Sequence, residues 1–353
     1  MVTSIAAPAF ADAYGIALYG THYLDQGNIT VEVRGGQYYV NDVLDDDGPV
    51  IIKNHEDESD TTSVSNTITI YAEDGEANVT LKDVDIVTNG EANKSGITVK
   101  ADKTKTATAT VNVTLDNVTV DAREDASSEG ATGGAGMTIQ GNGVVNIELD
   151  GKNELLAGDG HAGLEKNRTE SVGSLNINDS NEDGGSLTAI GGDGGAGIGG
   201  GKGDMGSGLY ILNGTVNAYG KGGGAGIGGG DGAGAHMVGL NAGVPGVNDA
   251  YEPTVTAVGS EGAAGIGGGK GGRLTDAVLS SGTLTGTMET LEYLQAHGAQ
   301  TIVFTTSQRT SSFQISDLLA LADEGDVFYL THTEANEPTL LVVTSDHTDL
   351  LEG

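Results

Sequence analysis

The chain has 353 residues, including 60 Gly, 5 Pro and no Cys or Trp, and its formal net charge is −34. A charge this negative argues against nucleic acid and anionic lipid as partners, because no basic patch is present to neutralise phosphates. The lack of Cys excludes disulfides, thiolate metal sites and cysteine nucleophiles. Gly makes up roughly 17% of the chain, against about 7% in average proteins. We therefore expect a narrow, regular core rather than a thick one.

Residues 1–13 predict the end of an export signal. Ala9-Phe10-Ala11 has the small-x-small form of a signal-peptidase site and follows a short apolar stretch. A disordered, Ala-rich terminus is the alternative interpretation. No other segment approaches the about 18 apolar residues that a transmembrane helix needs. We expect an extracellular or cell-surface protein without membrane insertion.

Residues 14–60 predict an N-terminal β cap. Within it, Asn28–Val33 and Gln37–Val40 have the composition of strands, and the segment Asp42–Gly48 has that of an acidic turn. A solenoid needs such a cap because open strands at its ends invite edge-to-edge association.

Residues 61–286 predict a repeat array marked by a short step of the form Ala-Gly-Ile. The steps recur 27 to 40 residues apart, and the last three are followed by Gly triplets. The copies are Ser95-Gly96-Ile97, Ala135-Gly136-Met137, Ala162-Gly163-Leu164, Ala196-Gly197-Ile198, Ala225-Gly226-Ile227 and Ala264-Gly265-Ile266. Their recurrence beside an apolar residue favours ordered corners over a flexible linker.

Short alternating segments such as Val79-Thr80-Leu81 and Val113-Thr114-Leu115 separate the steps. Alternation at period two places one face inside and one face outside. Two such strands and the step make a unit of three short strands, which buries its apolar face only by stacking on further units. The fold class is therefore all-β, a right-handed parallel β-helix or solenoid, with the hand set by the preference of parallel crossovers. The segment 235–253 is expected to be a projecting loop.

Residues 287–353 predict a small C-terminal α+β capping unit. Met288–His297 has a helical spacing of apolar residues, with Thr287 as its N-cap and Gly298 after its end. The other expected elements are strands at Thr301–Thr306, around Ser311–Ile315, at Val327–Leu330 and at Thr339–Val343, and a short helix at Ser316–Asp323.

The segments Gly185–Gly201 and Leu212–Gly230 both end in Ala-Gly-Ile-Gly-Gly-Gly. This element resembles the Gly-rich repeats of large surface proteins of Firmicutes and related gut bacteria. The wider array, from about Thr67 to Thr285 and roughly 60% of the chain, is similar to β-helical carbohydrate-binding-like proteins of clostridia. The resemblance implies a cell-surface, adhesin-like setting with binding of Ca²⁺ and acidic polysaccharides, and it assigns no functional residues. The insertion before Pro253 and the C-terminal unit depart from it.

Asp179, Asn181 and Asp183 are the candidate metal ligands. Their oxygen atoms stand at alternate positions before Gly184, as in loops that wrap Ca²⁺. Ile190 occupies the twelfth position, where an EF-hand has Glu, and this excludes an EF-hand. An ordinary Asp/Asn/Gly turn explains the same residues. The acidity of the chain fits divalent cations or simple solvation of a thin body.

Tyr210, Tyr219 and Tyr251 are the candidate ligand-binding residues, as a small platform for sugar rings; exposed Tyr at alternate strand positions is the other explanation. No catalytic set is predicted, because the seven His show no metal-ligand spacing and Arg is rare. Gly195–Gly200 matches the dinucleotide fingerprint, but no helix is expected after it.

The leading interpretation is an exported, non-catalytic surface protein, adhesin-like or glycan-binding, whose partner is a host or environmental glycan or a surface protein. Its contact surface would be the stacked faces or the 235–253 segment. A structural stalk or scaffold of a larger surface protein is the first alternative. A Ca²⁺-dependent polysaccharide lyase or hydrolase is the second. The protein is expected to be monomeric or part of a longer chain.

Overall fold

The computed structural model describes most of the chain between residues 20 and 343. The described residues are 20–46, 48–89, 91–103, 108–123, 132–181, 183–240, 253–272, 277–279, 282–287, 292, 301–305, 310–320, 327–332 and 339–343. They are nearly all β, and most of the strands belong to three long sheets.

The nine-stranded sheet is parallel throughout. In spatial order it contains β1 (Gly20–Tyr23), β5 (Val50–Lys53), β7 (Glu76–Lys82), β10 (Thr110–Asp116), β13 (Val144–Asp150), β16 (Ser174–Asn178), β19 (Gly206–Ile211), β22 (Ala235–Leu240) and β25 (Ala277–Leu279).

The six-stranded sheet is also parallel. In spatial order it contains β8 (Asp85–Val87), β11 (Thr119–Ala122), β14 (Lys152–Ala157), β17 (Ser186–Asp193), β20 (Thr215–Lys221) and β23 (Thr254–Val258).

The ten-stranded sheet is parallel except at its N-terminal edge, where three strands form an antiparallel meander. In spatial order it contains β4 (Val43–Asp45), β3 (Gln37–Val40), β2 (Ile29–Arg34), β6 (Ile68–Ala72), β9 (Ile97–Ala101), β12 (Met137–Gln140), β15 (Leu164–Glu165), β18 (Ile198–Gly199), β21 (Ile227–Gly228) and β24 (Ile266–Gly267).

From β6 onward the chain visits the three sheets in a fixed cycle: ten-stranded, nine-stranded, six-stranded, and back again. Each cycle adds one strand to each sheet and pairs it with the equivalent strand of the previous cycle. This arrangement fits a parallel β-helix or solenoid, and we call one cycle a coil. The prediction of an all-β chain with long parallel sheets is confirmed.

The core is a stack of inward apolar side chains, and the Ala-Gly-Ile steps supply one of its rows. In the ten-stranded sheet, equivalent residues of successive coils lie in register and are 0–8% exposed. This row consists of Ile29, Ile68, Ile97, Met137, Leu164, Ile198, Ile227 and Ile266. The prediction that each step contributes a third short strand with a buried residue is confirmed.

The Gly of each step lets the backbone of the six-stranded sheet approach closely. A Cβ atom on Gly226 would lie 2.5 Å from the Val258 nitrogen and 2.6 Å from the Gly265 oxygen. A Cβ atom on Gly197 would lie 2.4 Å from the Tyr219 nitrogen. Backbone atoms cannot move aside as a flexible side chain can, so only Gly fits at this corner.

Two segments, one in the predicted cap and one in the array, differ from their predicted structure. Val43–Asp45, predicted within an acidic turn, forms the edge strand β4, because β3 offers it an antiparallel partner. Ala235–Leu240, predicted as the start of a projecting loop, forms β22 of the nine-stranded sheet, in register with β19. Residues 241–252 of that segment lie outside the described residues.

Both ends of the array carry described strands. β1 and β5 pair with each other in the nine-stranded sheet, and β2 pairs with β6 in the ten-stranded sheet. At the other end, β26 (Gly282–Thr287), β29 (Val327–His332) and β30 (Thr339–Val343) form an antiparallel sheet, and β27 (Thr301–Thr305) pairs with β28 (Thr310–Gln314). Helix α1 (Ile315–Leu319) follows β28. The predicted helix Met288–His297 lies almost wholly outside the described residues.

A side-chain bridge at the ten-stranded sheet links the corner before β9 to the corner before β15, two coils further along. His161 Nδ1 lies 3.0 Å from Glu165 Oε2, and His161 Nε2 lies 3.1 Å from Asn93 Oδ1. Glu165 is buried and also accepts a hydrogen bond from the Ala162 backbone at 3.0 Å. Because both ring nitrogens face oxygen acceptors, the bridge favours the protonated imidazolium. The hydrogen bond to Glu165 raises the pKa of His161.

The close approach at Gly226 predicts a strong effect of a single methyl group. We expect Gly226→Ala to destabilise the protein by about 2–3 kcal/mol through overpacking, and to lower the melting temperature measured by circular dichroism. Gly203→Ala is the control, since a Cβ atom at Gly203 meets nothing within 4 Å although its φ is +81°. That control costs about 1 kcal/mol of backbone strain. Equal losses in the two variants would contradict the packing explanation.

The His161 bridge predicts a pH-dependent contribution to stability. A histidine whose pKa is raised on folding stabilises the folded state fully below its unfolded pKa of about 6.5. That contribution disappears as the pH rises through the folded-state pKa. We therefore expect His161→Gln to cost about 1 kcal/mol more at pH 5.5 than at about pH 8.5, as measured by thermal unfolding beside the parent protein. A difference that stays constant over this range would refute the bridge.

Candidate ligand-binding surface

Two tyrosines lie in one outward row of the ten-stranded sheet. Tyr39 of β3 pairs with Glu32 of β2, and Glu32 pairs with Tyr71 of β6. Adjacent strands are about 4.8 Å apart, so the two tyrosines are separated by about 10 Å across the sheet. The row, called the tyrosine row below, consists of Leu44, Tyr39, Glu32, Tyr71, Lys100 and Gln140.

The strands themselves explain why these residues point outward. β6 has the burial alternation expected of a half-buried strand, with Ile68 and Ile70 inside and Tyr71 partly exposed. β9 repeats the pattern with Lys100 at the equivalent outward position. Leu44, at the edge of the sheet, is 42% exposed. The tyrosine row therefore joins apolar, aromatic and charged side chains on one accessible face.

Cations lie against both rings of the tyrosine row. The Arg34 guanidinium carbon is 4.0 Å from the centre of the Tyr39 ring, and Lys100 Nζ is 4.7 Å from the centre of the Tyr71 ring. Arg34 also donates to Glu32 Oε2 at 3.2 Å. These contacts hold the rings in place and occupy one face of each, since a cation is attracted to the electron-rich face of an aromatic ring.

Hydrogen bonds orient the Tyr71 ring further. Its hydroxyl donates to Asp102 Oδ2 at 2.8 Å, and Lys100 Nζ lies 3.2 Å from the same oxygen. Desolvation, followed by the hydrogen bond to Asp102, raises the pKa of Tyr71 to about 12. The phenol therefore stays protonated at neutral pH and serves as a fixed neutral group.

A row of hydroxyl groups runs beside the tyrosine row on the same face. Thr30, Thr69, Thr98 and Thr138 are in register on successive strands, two residues before the tyrosine-row positions. The first three are at least partly exposed, whereas Thr138 is buried and its hydroxyl lies 2.7 Å from Ser95 Oγ. Thr138 pairs in register with Glu165, where the His161 bridge begins. Hydroxyls both donate and accept hydrogen bonds, so this face combines flat rings with polar groups.

The outer face of the nine-stranded sheet has a different character. Its asparagine side chains bond to one another from coil to coil: Asn112 donates to Asn78 at 2.8 Å, Asn146 to Asn112 at 2.7 Å, and Asn176 to Asn146 at 2.8 Å. These amides satisfy each other and stabilise the stack. They are less available to a ligand than the tyrosine row.

The structure places two of the three tyrosines of the predicted platform on different sheets. Tyr210 lies on β19 of the nine-stranded sheet, opposite Asn176 and Gly239. Tyr219 lies on β20 of the six-stranded sheet. Tyr251 lies outside the described residues. Burial raises the pKa of Tyr210.

The predicted calcium loop engages its polar groups with the protein. Asp179 is buried, and its Oδ2 accepts from the Gly185 backbone at 3.1 Å. Asn181 donates to Asp150 Oδ1 at 3.0 Å, and the Asp183 backbone donates to Asn181 Oδ1 at 3.3 Å. Among the described residues, no group of three His, Cys, Asp or Glu side chains is placed to hold a metal ion. Calcium binding here stays a prediction.

Sequence reasoning missed Tyr39 and Tyr71, although a signal for Tyr71 was present. The segments Ile29–Glu32, Ile68–Tyr71, Ile97–Lys100 and Met137–Gln140 share an apolar-Thr-apolar-X pattern, and X is the residue of the tyrosine row. Aligning these four segments places Glu32, Tyr71, Lys100 and Gln140 side by side. Tyr39 joins them only through the antiparallel meander.

In the described part of the chain, no helix is both long and apolar enough to cross a membrane.

Comparison with known proteins identifies no relative of this chain. No protein-family model matches the chain, and searches of the curated proteins and of the solved structures gave no match.

Proposed function

We propose that the protein is an exported, non-catalytic surface protein that binds glycans, and that the tyrosine row with its flanking threonines is the contact surface. The observation that carries the proposal is the placement of Tyr39 and Tyr71 on one outward face, two strands apart. Tyrosine rings give a ligand a large, rigid apolar surface with a polar tip. Two rings two strand spacings apart offer separate stacking positions to two non-adjacent sugar residues of one chain laid across the strands.

The side chains around the rings support a saccharide rather than a purely apolar partner. Glu32 and Lys100 lie in the tyrosine row itself, and threonine hydroxyls lie beside it. Such groups fix the orientation of sugar hydroxyls by hydrogen bonds. An acidic polysaccharide would place its carboxylates near Arg34 and Lys100. The resemblance to surface proteins also favours an acidic polysaccharide as the ligand.

The contacts of His161 and Lys166 support the non-catalytic part of the proposal. A histidine acts as a general base through a free nitrogen within hydrogen-bond reach of its substrate, and both His161 nitrogens already face protein oxygens. Lys166 is fully buried and donates to the Ser207 and Ser171 carbonyls at 2.6 and 3.3 Å. Its burial lowers the pKa of Lys166 to about 8, but solvent does not reach the amine.

The proposal includes the finer features of the architecture. We take the coil to be right-handed, because parallel crossovers have that hand in nearly all proteins. Residues 14–60 and 287–353 are proposed to cap the ends of the array, where unpaired strand edges would otherwise invite association. A crystal structure of the whole chain tests both points.

Replacement of the two tyrosines tests the proposed contact surface. We expect the double variant Tyr39→Ala, Tyr71→Ala to bind its glycan about 5- to 150-fold more weakly, because each ring contributes about 0.5–1.5 kcal/mol. A glycan array, run with and without Ca²⁺, identifies the ligand, and titration calorimetry measures the loss. Tyr210→Ala and Tyr219→Ala are matched controls on the other two sheets and should bind normally.

Two outcomes would count against this proposal. If the controls lose binding and the double variant keeps it, the contact surface lies elsewhere. If no glycan binds in either condition, the glycan-binding function is wrong and the structural stalk takes its place. Circular dichroism of each variant shows whether the fold is retained.

A further inference from the structure

A cleft lies where the chain leaves the six-stranded sheet for the ten-stranded sheet. It has a volume of about 220 Å³ and includes four charged residues in its lining: Arg123, Asp159, Asp193 and Lys221. These residues come from four successive coils, and none of them belongs to the tyrosine row. The cleft is thus a separate feature of the surface.

The order of the charges along the stack is positive, negative, negative, positive. Arg123 follows the end of β11, Asp159 follows β14, and Asp193 and Lys221 lie in register on β17 and β20. The Asp193 backbone also donates to Asp159 Oδ1 at 3.1 Å. Successive coils are about 4.8 Å apart, so the two acidic residues form the centre of the cleft and the two basic residues its ends.

Two of the four charges have no ionic partner in the protein. Within the described part of the chain, no acidic oxygen lies within 4.0 Å of the Lys221 amine, and no basic nitrogen within 4.0 Å of the Asp159 carboxylate. Arg123 is bound by Asp121 at 2.9 and 2.6 Å. Asp193 lies 3.8 Å from Lys202, and both side chains are more than half exposed. Asp159 and Lys221 are therefore the groups that a ligand would neutralise.

Gly158 and Gly192 also line the cleft, where the backbones of successive coils pack closely. A Cβ atom on Gly192 would lie 1.9 Å from the Gly158 oxygen, and one on Gly158 would lie 2.1 Å from the Thr132 oxygen. Only Gly fits at these two positions, so the fold fixes the distance between the backbone segments that carry the charged residues.

We propose that this cleft binds an amino sugar that also carries an anionic group, with its ammonium between Asp159 and Asp193 and its anion against Lys221. The volume is below the about 300–1,000 Å³ of sites for drug-sized ligands, which limits the ligand to about one ring. A purely anionic sugar is disfavoured at this cleft, because it would lie against the carboxylates of Asp159 and Asp193. This site is independent of the tyrosine row. It would give the protein a second class of ligand, one that carries both a positive and a negative charge.

Three probes separate the two charge contacts. Glucosamine 6-phosphate carries both the ammonium and the anion, glucosamine carries only the ammonium, and glucose 6-phosphate carries only the anion. We expect glucosamine 6-phosphate to bind best and glucosamine to bind about fivefold more weakly, since one exposed charge contact contributes up to about 1 kcal/mol. Glucose 6-phosphate should show no measurable binding. Titration calorimetry at low ionic strength measures all three, because screening weakens exposed charge pairs at high salt.

Matched variants assign the contacts to residues. Lys221→Gln should reduce the affinity for glucosamine 6-phosphate to that for glucosamine and leave glucosamine unchanged. Asp159→Asn keeps an oxygen acceptor for the Asp193 backbone and should weaken both amines. Lys152→Gln, an exposed lysine of the same sheet, is the control and should change nothing. The double tyrosine variant should bind these probes normally, which separates this site from the glycan-binding surface.

The proposal fails if glucose 6-phosphate binds as well as glucosamine 6-phosphate, because the acidic centre would then have no role. It fails equally if Lys152→Gln has the effect of Lys221→Gln, which would indicate non-specific charge attraction. Absence of binding by all three probes to the folded parent protein also overturns it.

Discussion

Parallel hydrogen bonding between equivalent strands of successive coils is the interaction on which the rest of this structure depends. Each backbone amide must find its partner one coil away, so every coil repeats the path of the one before it. Identical register follows: Ile198 lies over Leu164, and Ile227 over Ile198. The core then needs no large aromatic residues, because each inward Ile or Val packs on its equivalent.

The same constraint gives glycine its role. At the corners, the backbone of one coil lies directly against the backbone of the next coil. Backbone atoms of that neighbouring coil occupy the space that a side chain would need. Gly228 illustrates this with a φ of +139° and with the Gly267 oxygen 1.8 Å from where its Cβ would be. What looks like low complexity in the sequence is thus a packing requirement, and it explains how a chain with few bulky residues folds into a regular stack.

The stacking of coils also explains which features of the fold the sequence predicts and which it does not. Period-two alternation identifies the inward residues of a strand such as β10, and the Ala-Gly-Ile step identifies the corner, since both are local patterns. The sheet to which a strand belongs is not local, because coils differ in length. Tyr210 and Tyr219 are close in sequence but lie on different sheets, whereas Tyr39 and Tyr71 are distant and share one face. β4 was missed because only pairing with β3 makes its acidic sequence a strand.

A stack held together from within leaves its outward positions free to differ from coil to coil. The buried inward residues of β6, β9 and β12 are restricted to Ile, Val, Met and Ala, whereas the outward row reads Glu32, Tyr71, Lys100 and Gln140. In the described strands, the chemical differences between coils therefore lie in these outward rows, at intervals set by the strand spacing. The proposed glycan partner would meet such a surface with a repeating structure of its own. The charged cleft follows the same rule, with one charge contributed by each of four coils.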